Sequence, residues 1–380
     1  MAVLPYRWQH DRPAHVVPRP RILGPIEAAL RQGLAVKLIG GRGMGKSVLL
    51  WQIQRCFADE PETRVVLIPG PPTESTVAGC LRDLADRLVL DLPKLTPDAL
   101  MAAAERELGI RRLIVLVDEV DQYVLTDGTG ALARSWFNRL ESLRKSWIDR
   151  FAVVIAGGLG LLHVAHVLGS GLLSRAETSL AAPFDRAELE TLAAPLRART
   201  PLDEEVLDTL ATLSGGIPAL ATYGLECLWT NTDEPIQVLR DSFSAFPVRH
   251  ADFLRAIQDG VSHRGLVGAP GRVLQVIRES PGSVAQSRLR DACVGDAPPV
   301  DIPQAVQLLQ AAGLVRLRDV IHSDPLDIHP IASIVHLPTV PATGADPLER
   351  FALDVARVLA HMGAALLGRR GEKVMERLVG

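Results

Sequence analysis

Residues 40–47 read Gly-Gly-Arg-Gly-Met-Gly-Lys-Ser, with the apolar run LAVKLIG (34–40) leading in and a helix-forming stretch following. No other feature constrains the fold as much. Glycines at this spacing let successive backbone N–H groups converge on one point, and a helix that starts there adds the positive end of its dipole. Strand, glycine turn and helix in this order make a cradle for phosphate oxygens, the P-loop pattern Gly40-x-x-x-x-Gly45-Lys46-Ser47. Gly40, Gly41, Arg42, Gly43, Met44, Gly45 and Val48 then form the binding loop and its exit. Lys46 reaches the β- and γ-phosphates, and the Ser47 hydroxyl ligates Mg²⁺.

A cradle of this kind needs a sheet behind it. Four β-branched runs supply one: 34–40, 64–70, 112–119 and 151–158. Amphipathic stretches separate them, such as 131–147, where Leu132, Trp136, Leu140 and Leu143 recur at helical spacing. Apolar strands alternating with helices predict an α/β core, a parallel sheet covered on both faces. The third run ends Val117-Asp118-Glu119 at the same sheet edge as the loop. Asp118 is placed to hold Mg²⁺ through water, and Glu119 to polarise an attacking water as the catalytic base beside Lys46. Asp121 reads as a cap or surface acid.

The 380 residues suffice for two or three domains. A net charge of −3 gives no global attraction to nucleic acid or anionic membrane. Four dispersed cysteines without a CxxC pair suggest reduced thiols of a cytoplasmic protein, with neither a zinc site nor a disulfide framework. His163 and His166 have no carboxylate or cysteine close in sequence to complete a metal site and read as helix residues. The N-terminus lacks the apolar core of a signal peptide, and no window reaches the ~18 apolar residues of a membrane span.

Changes in pattern divide the chain. Residues 1–20 form an arm rich in Pro, Arg and His; 21–184 form the P-loop domain; 185–265, without a strong strand, form a helical lid. Residues 266–338 read as three helices and a hairpin, the winged-helix arrangement, and 339–380 as a linker and an amphipathic helix that docks on the body or on a partner.

These features together resemble an AAA+-related P-loop ATPase, and more narrowly the STAND class of signal-transduction ATPases. VVPRPRIL (16–23) is similar to a segment that precedes the P-loop in large bacterial members and lies against the base, which would be the place of Arg19. SGGIPALA (214–221) resembles the GxP motif of the helical domain, with Pro218 at adenine. LDIHPI (326–331) resembles the winged-helix segment whose histidine, here His329, contacts the β-phosphate of ADP and locks a closed state. Taken as ordinary local structure, the same residues are a helix-to-helix turn, a wing residue and exposed arm charges (Arg19 and Arg21). Two departures stand out: the fourth strand ends Gly157-Gly158 where a polar sensor is usual, and no arginine follows GGIP. Both predict slow hydrolysis. Arg175 is the nearest candidate for an arginine finger acting in a neighbouring subunit, with a plain salt bridge as the other reading.

The resemblance implies an ATP/ADP-operated switch, closed with ADP and open or self-associating with ATP, that signals to a partner protein in bacterial defence or regulation. The alternative is a DNA-associated AAA+ ATPase of the origin-recognition or transposition-regulator type. The third helix of the winged-helix unit, DIPQAVQLLQAAG, carries no Lys or Arg, and Arg288, Arg290, Arg316 and Arg318 are a thin basic supply for phosphate contacts. The intramolecular role is favoured.

Overall fold

The computed structural model describes residues 6, 14–69, 77–92, 94, 96–120, 131–161, 171–200, 202–262, 269–280, 284, 286–293, 301–317 and 326–328. His329, Asp121, His163, His166 and the segment 339–380 lie outside the described residues.

Helix α1 (Pro20–Arg31) precedes β1 (Ala35–Ile39), the glycine loop and α2 (Lys46–Cys56). Strand β2 (Thr63–Ile68), helices α3 (Val77–Leu88) and α4 (Pro97–Leu108), β3 (Arg112–Val117), α5 (Ala131–Ser146), β4 (Phe151–Gly157), α6 (Gly171–Arg175) and β5 (Glu177–Leu180) complete the first unit. The strands form one parallel sheet in the order β2-β3-β4-β1-β5. Its centre is the most apolar part. Every residue of β4 is buried, as are all of β3 after Arg112, because helices cover both faces. Trp136, Leu140 and Leu143 of α5 are buried, as their spacing predicts.

Four strands are predicted and five form. The fifth, Glu-Thr-Ser-Leu, lies at the sheet edge beside β1 and has no fully buried residue. An edge strand needs no continuous apolar run, so periodicity passes over it.

The second unit is helical: α7 (Arg186–Arg197), α8 (Glu204–Ser214), α9 (Pro218–Thr230), α10 (Pro235–Arg249) and α11 (Ala251–Ser262). Asp185 caps α7 in a reciprocal box with Glu188, and Asp203 caps α8 through the N–H of Val206, so both helices begin on an acidic N-cap. Then follow α12 (Ala269–Glu279), α13 (Gln286–Ala292), α14 (Asp301–Ala311) and the antiparallel pair β6 (Val315–Leu317) and β7 (Leu326–Ile328). Buried residues of α12 and α14 belong to the same apolar cluster as the central sheet. Among the described residues, no helix is long and apolar enough to cross a membrane.

Candidate functional site

The glycine loop leaves β1 at the carboxyl edge of the sheet, where ligands of open α/β folds bind. Gly43 and Gly45 both take positive φ, +83° and +78°, which side-chain-bearing residues rarely adopt. Gly45 is the N-cap of α2, so the helix dipole points into the turn. The Lys46 ammonium donates to the carbonyls of Gly40 at 2.8 Å and Gly41 at 3.2 Å, folded over its own loop.

Strand β3 delivers the carboxylates as predicted. The Ser47 hydroxyl donates to Asp118 Oδ2 at 2.7 Å, and Asp118 Oδ1 accepts the N–H of Glu119 at 2.9 Å. Asp118 is 7% exposed. Glu119 has φ of 51°, a backbone state costly for a side-chain-bearing residue and frequent at functional sites. Two hard oxygen ligands side by side suit Mg²⁺, which takes its remaining ligands from water and phosphate. A hydroxyl and a carboxylate already within hydrogen-bond reach fit that ion. When bound, it would polarise the phosphate oxygens.

A cavity of about 340 Å³ opens from this loop. Arg42, Gly43, Gly45, Lys46, Ser47, Val48 and Glu119 of the loop and its neighbour strand line it. Val17, Phe184, Leu192 and Pro218 add apolar surface to the lining. Charged and backbone donors together with apolar surface are the two kinds of wall that a nucleotide's phosphates and base need. Gly40, Gly41 and Met44 are not part of the lining, contrary to the prediction from the motif. Met44 is fully buried in the core, and the N–H of Gly41 donates to the carbonyl of Ala311 at 2.6 Å instead of facing the cavity. The third unit therefore docks on the loop itself. Gly313, just past α14, sits where an added Cβ would lie 3.2 Å from Ile217 and 3.4 Å from Met44 Sδ.

The GGIP turn meets the loop from the other side. Gly215 and Gly216 both have positive φ, and Pro218 starts α9. The N–H of Ala219 donates to the carbonyl of Gly43 at 3.0 Å, and a Cβ on Gly45 would lie 3.7 Å from Pro218. The structure thus brings Pro218 to the phosphate loop, whereas the resemblance implies a place at adenine.

Arg19 is buried rather than an exposed arm charge. Its Nη2 donates to Ala182 C=O at 2.5 Å and Pro183 C=O at 3.2 Å, its Nε lies 3.3 Å from Glu188, and its guanidinium stands 4.9 Å from the centre of the Phe184 ring. Nη1 is buried without a hydrogen-bond partner while the residue lines the cavity. That leaves one charged donor for a ligand acceptor. Burial lowers the pKa of Arg19, and Glu188 opposes the shift. Arg21 remains exposed and pairs with Asp185 at 3.1 Å. Removing Arg19 strands Glu188 and two carbonyls. Arg19→Ala is expected to cost about 3 kcal/mol in thermal or urea unfolding, and Arg19→Lys is expected to recover less than half, since Lys lacks the planar fork.

Arg175 ends α6, ahead of β5, and does not line the cavity of its own chain. It is largely exposed and 3.8 Å from the buried Glu141, a weak contact. Tyr6, His15, Phe184, Leu192, Thr222 and Phe253 also line the cavity and were not predicted. Phe253 presses on the loop: a Cβ on Gly43 would lie 2.8 Å from its ring. Aromatic scarcity, 4% of the chain, is the one sequence signal that could have drawn attention to it.

Residues 30–164 match the family described as AAA domain. That stretch, which is similar to an AAA domain, holds the glycine loop, Asp118 and Glu119. No match is found among the curated proteins. Among solved structures the chain is similar to the Walker-type ATPase paby2304 of Pyrococcus abyssi, at 16% identity over 88% of this chain and 98% of that one, with a TM-score of 0.51. It also matches the Aeropyrum pernix ORC2 protein in its ADPNP–ADP complexes, at 15% identity, 92% and 96% coverage and a TM-score of 0.43. RuvB of Thermotoga maritima matches at 15% identity, 86% and 98% coverage and a TM-score of 0.42. The first of these likenesses speaks for the α/β fold of the AAA+ domain.

Proposed function

We propose that this protein is an ATP/ADP-operated switch with slow hydrolysis. One observation carries the reading: the third unit is hydrogen-bonded to the phosphate loop through Ala311 and Gly41, while the lid touches the same loop through Ala219 and Gly43. A nucleotide that reshapes the loop would act on both units at once. Phosphates lie against Lys46 and the backbone of Gly43–Val48, with Mg²⁺ on Ser47 and Asp118. The base lies between Arg19, Phe184 and Pro218, and Arg19 Nη1 donates to it. ADP holds the closed arrangement, with His329 as its lock on the β-phosphate. ATP favours an open form that self-associates or engages a partner, and Arg175 reaches a neighbouring subunit's γ-phosphate. Shifting a closed population from 99:1 to 1:99 takes about 5.5 kcal/mol, a scale that several relocated phosphate contacts supply.

Helix α14, which would enter the DNA groove in a winged-helix reader, carries no Lys or Arg, and its last residue, Ala311, accepts the Gly41 N–H of the loop. Ile302, Ala305, Leu308 and Leu309 are buried. This supports an intramolecular role over DNA reading. The test is the nucleotide retained by freshly purified protein and its mass in ADP and in ATP. Retained ADP, a larger mass in ATP and faster ADP release from His329→Ala are expected. ATP-dependent binding to duplex DNA with a steep salt slope, at unchanged mass, would overturn the reading.

A further inference from the structure

Helix α7 contains Pro195 in its interior. A proline there donates no hydrogen bond, so the carbonyl of Thr191 loses its usual partner. His15 takes that place, with Nε2 at 2.7 Å from Thr191 C=O. A carbonyl only accepts, so His15 holds its proton on Nε2 in this contact. The next rung is open as well. In an unbroken helix the N–H of Leu196 would donate to Leu192 C=O. Here it donates to Tyr6 Oη at 3.1 Å, and the Tyr6 hydroxyl donates onward to Leu192 C=O at 3.0 Å. The phenol is inserted into the helix as a bridging rung.

Tyr6 is 1% exposed, and its ring stands edge-on to Trp229 at 5.8 Å. Burial raises its pKa, so the hydroxyl keeps the proton it donates. Tyr6, His15 and Val17 all line the nucleotide cavity beside Leu192. The arm thus bonds to a lid helix at the one turn where a proline has opened the ladder, and that turn borders the cavity.

We propose that Tyr6 and His15 form a strap that uses the Pro195 defect to tie the N-terminal arm to the lid, and so sets how long a nucleotide stays bound. They are positioning residues. They act by holding the part of the cavity wall that Leu192 forms. The idea rests on the nucleotide reading of that cavity.

Pro195→Ala tests the His15 half of the strap, because it restores an N–H that competes with His15 for Thr191 C=O. In the full chain, release of a fluorescent ADP analogue is expected to quicken about fivefold to tenfold, the worth of one or two hydrogen bonds. Amide exchange at residues 14–19 should rise while the melting temperature holds or increases. A merely structural arm would not give faster release from a protein of equal or greater stability. Tyr6→Phe, which keeps the ring and removes the bridge, should shift release and exchange in the same direction, by about threefold. Exchange unchanged in both variants would overturn the strap. Exchange raised with release within twofold of the parent would overturn its role in retention. A parent protein that binds neither ADP nor ATP would overturn the reading of the cavity and the retention role together. The exchange comparison needs no nucleotide and decides the strap independently.

Discussion

Glu119→Gln is expected to lower ATP turnover about 100-fold or more, the usual worth of a general base, while ATP affinity stays within about twofold. Glu119 lines the cavity, as do Lys46 and Ser47. Its backbone N–H is held by Asp118 Oδ1 at 2.9 Å and its φ is 51°. A carboxylate fixed in this way can take a proton from a water attacking the terminal phosphate. Glutamine has the same shape and the same backbone contact but no basicity. Binding and chemistry should therefore separate. Phosphate release in a single turnover, beside a titration with a fluorescent ATP analogue, reads the two apart. Equal turnover in parent and variant would remove Glu119 from the chemistry. The parent rate is itself expected to be slow, because Gly157 and Gly158 end β4 with no side chain to read the γ-phosphate.

Gly216→Ala should be the most damaging glycine-to-alanine change among the described residues. A Cβ there would lie 2.4 Å from the carbonyl oxygen of Phe184, and the residue has φ of +76°. The obstacle is backbone, and it cannot swing away. The N–H of Phe184 already donates to Gly216 C=O at 2.7 Å, so the two strands of chain are locked together. The left-handed state alone costs alanine about 1–2 kcal/mol, and the collision raises the total to about 3–5 kcal/mol. The damage should also reach the cavity. The turn that holds Gly216 places Pro218, and it aims the N–H of Ala219 at Gly43 C=O. Urea unfolding and nucleotide titration of the variant should both shift. Gly171→Ala is the matched control: it starts α6 with nothing within 4 Å of an added Cβ, and it should be neutral or slightly stabilising. Equal stability of the two variants would show that the turn yields, and the proposed seat of Pro218 would fall.

The readable parts of this protein were those whose physics is local. The glycine loop is legible because eight consecutive residues carry both the turn and the chemistry. Asp118 and Glu119 are legible because a run of apolar residues ends in acids, and strands of a parallel sheet all deliver their ends to one edge. The acidic helix starts at Asp185 and Asp203 are legible for the same reason, since a cap acts within three residues. Strand β5 was missed because an edge strand is specified by its neighbour β1 and carries little apolar signal of its own.

The sequence by itself determined a phosphate loop on a parallel sheet, a carboxylate pair beside it, and a helical lid whose Gly-Gly-Ile-Pro turn read equally as a plain helix-to-helix turn. Only the tertiary structure decided that Gly41 faces Ala311 rather than the cavity, and that Arg19 is buried with its Nη1 left over. It also decided that Tyr6 and His15 mend a helix broken at Pro195. The reason is the same in each case. A backbone N–H or C=O is identical in every residue, so its partner across a long stretch of chain leaves no mark in composition or spacing. Burial then makes that partner obligatory, because a buried polar group without one is costly.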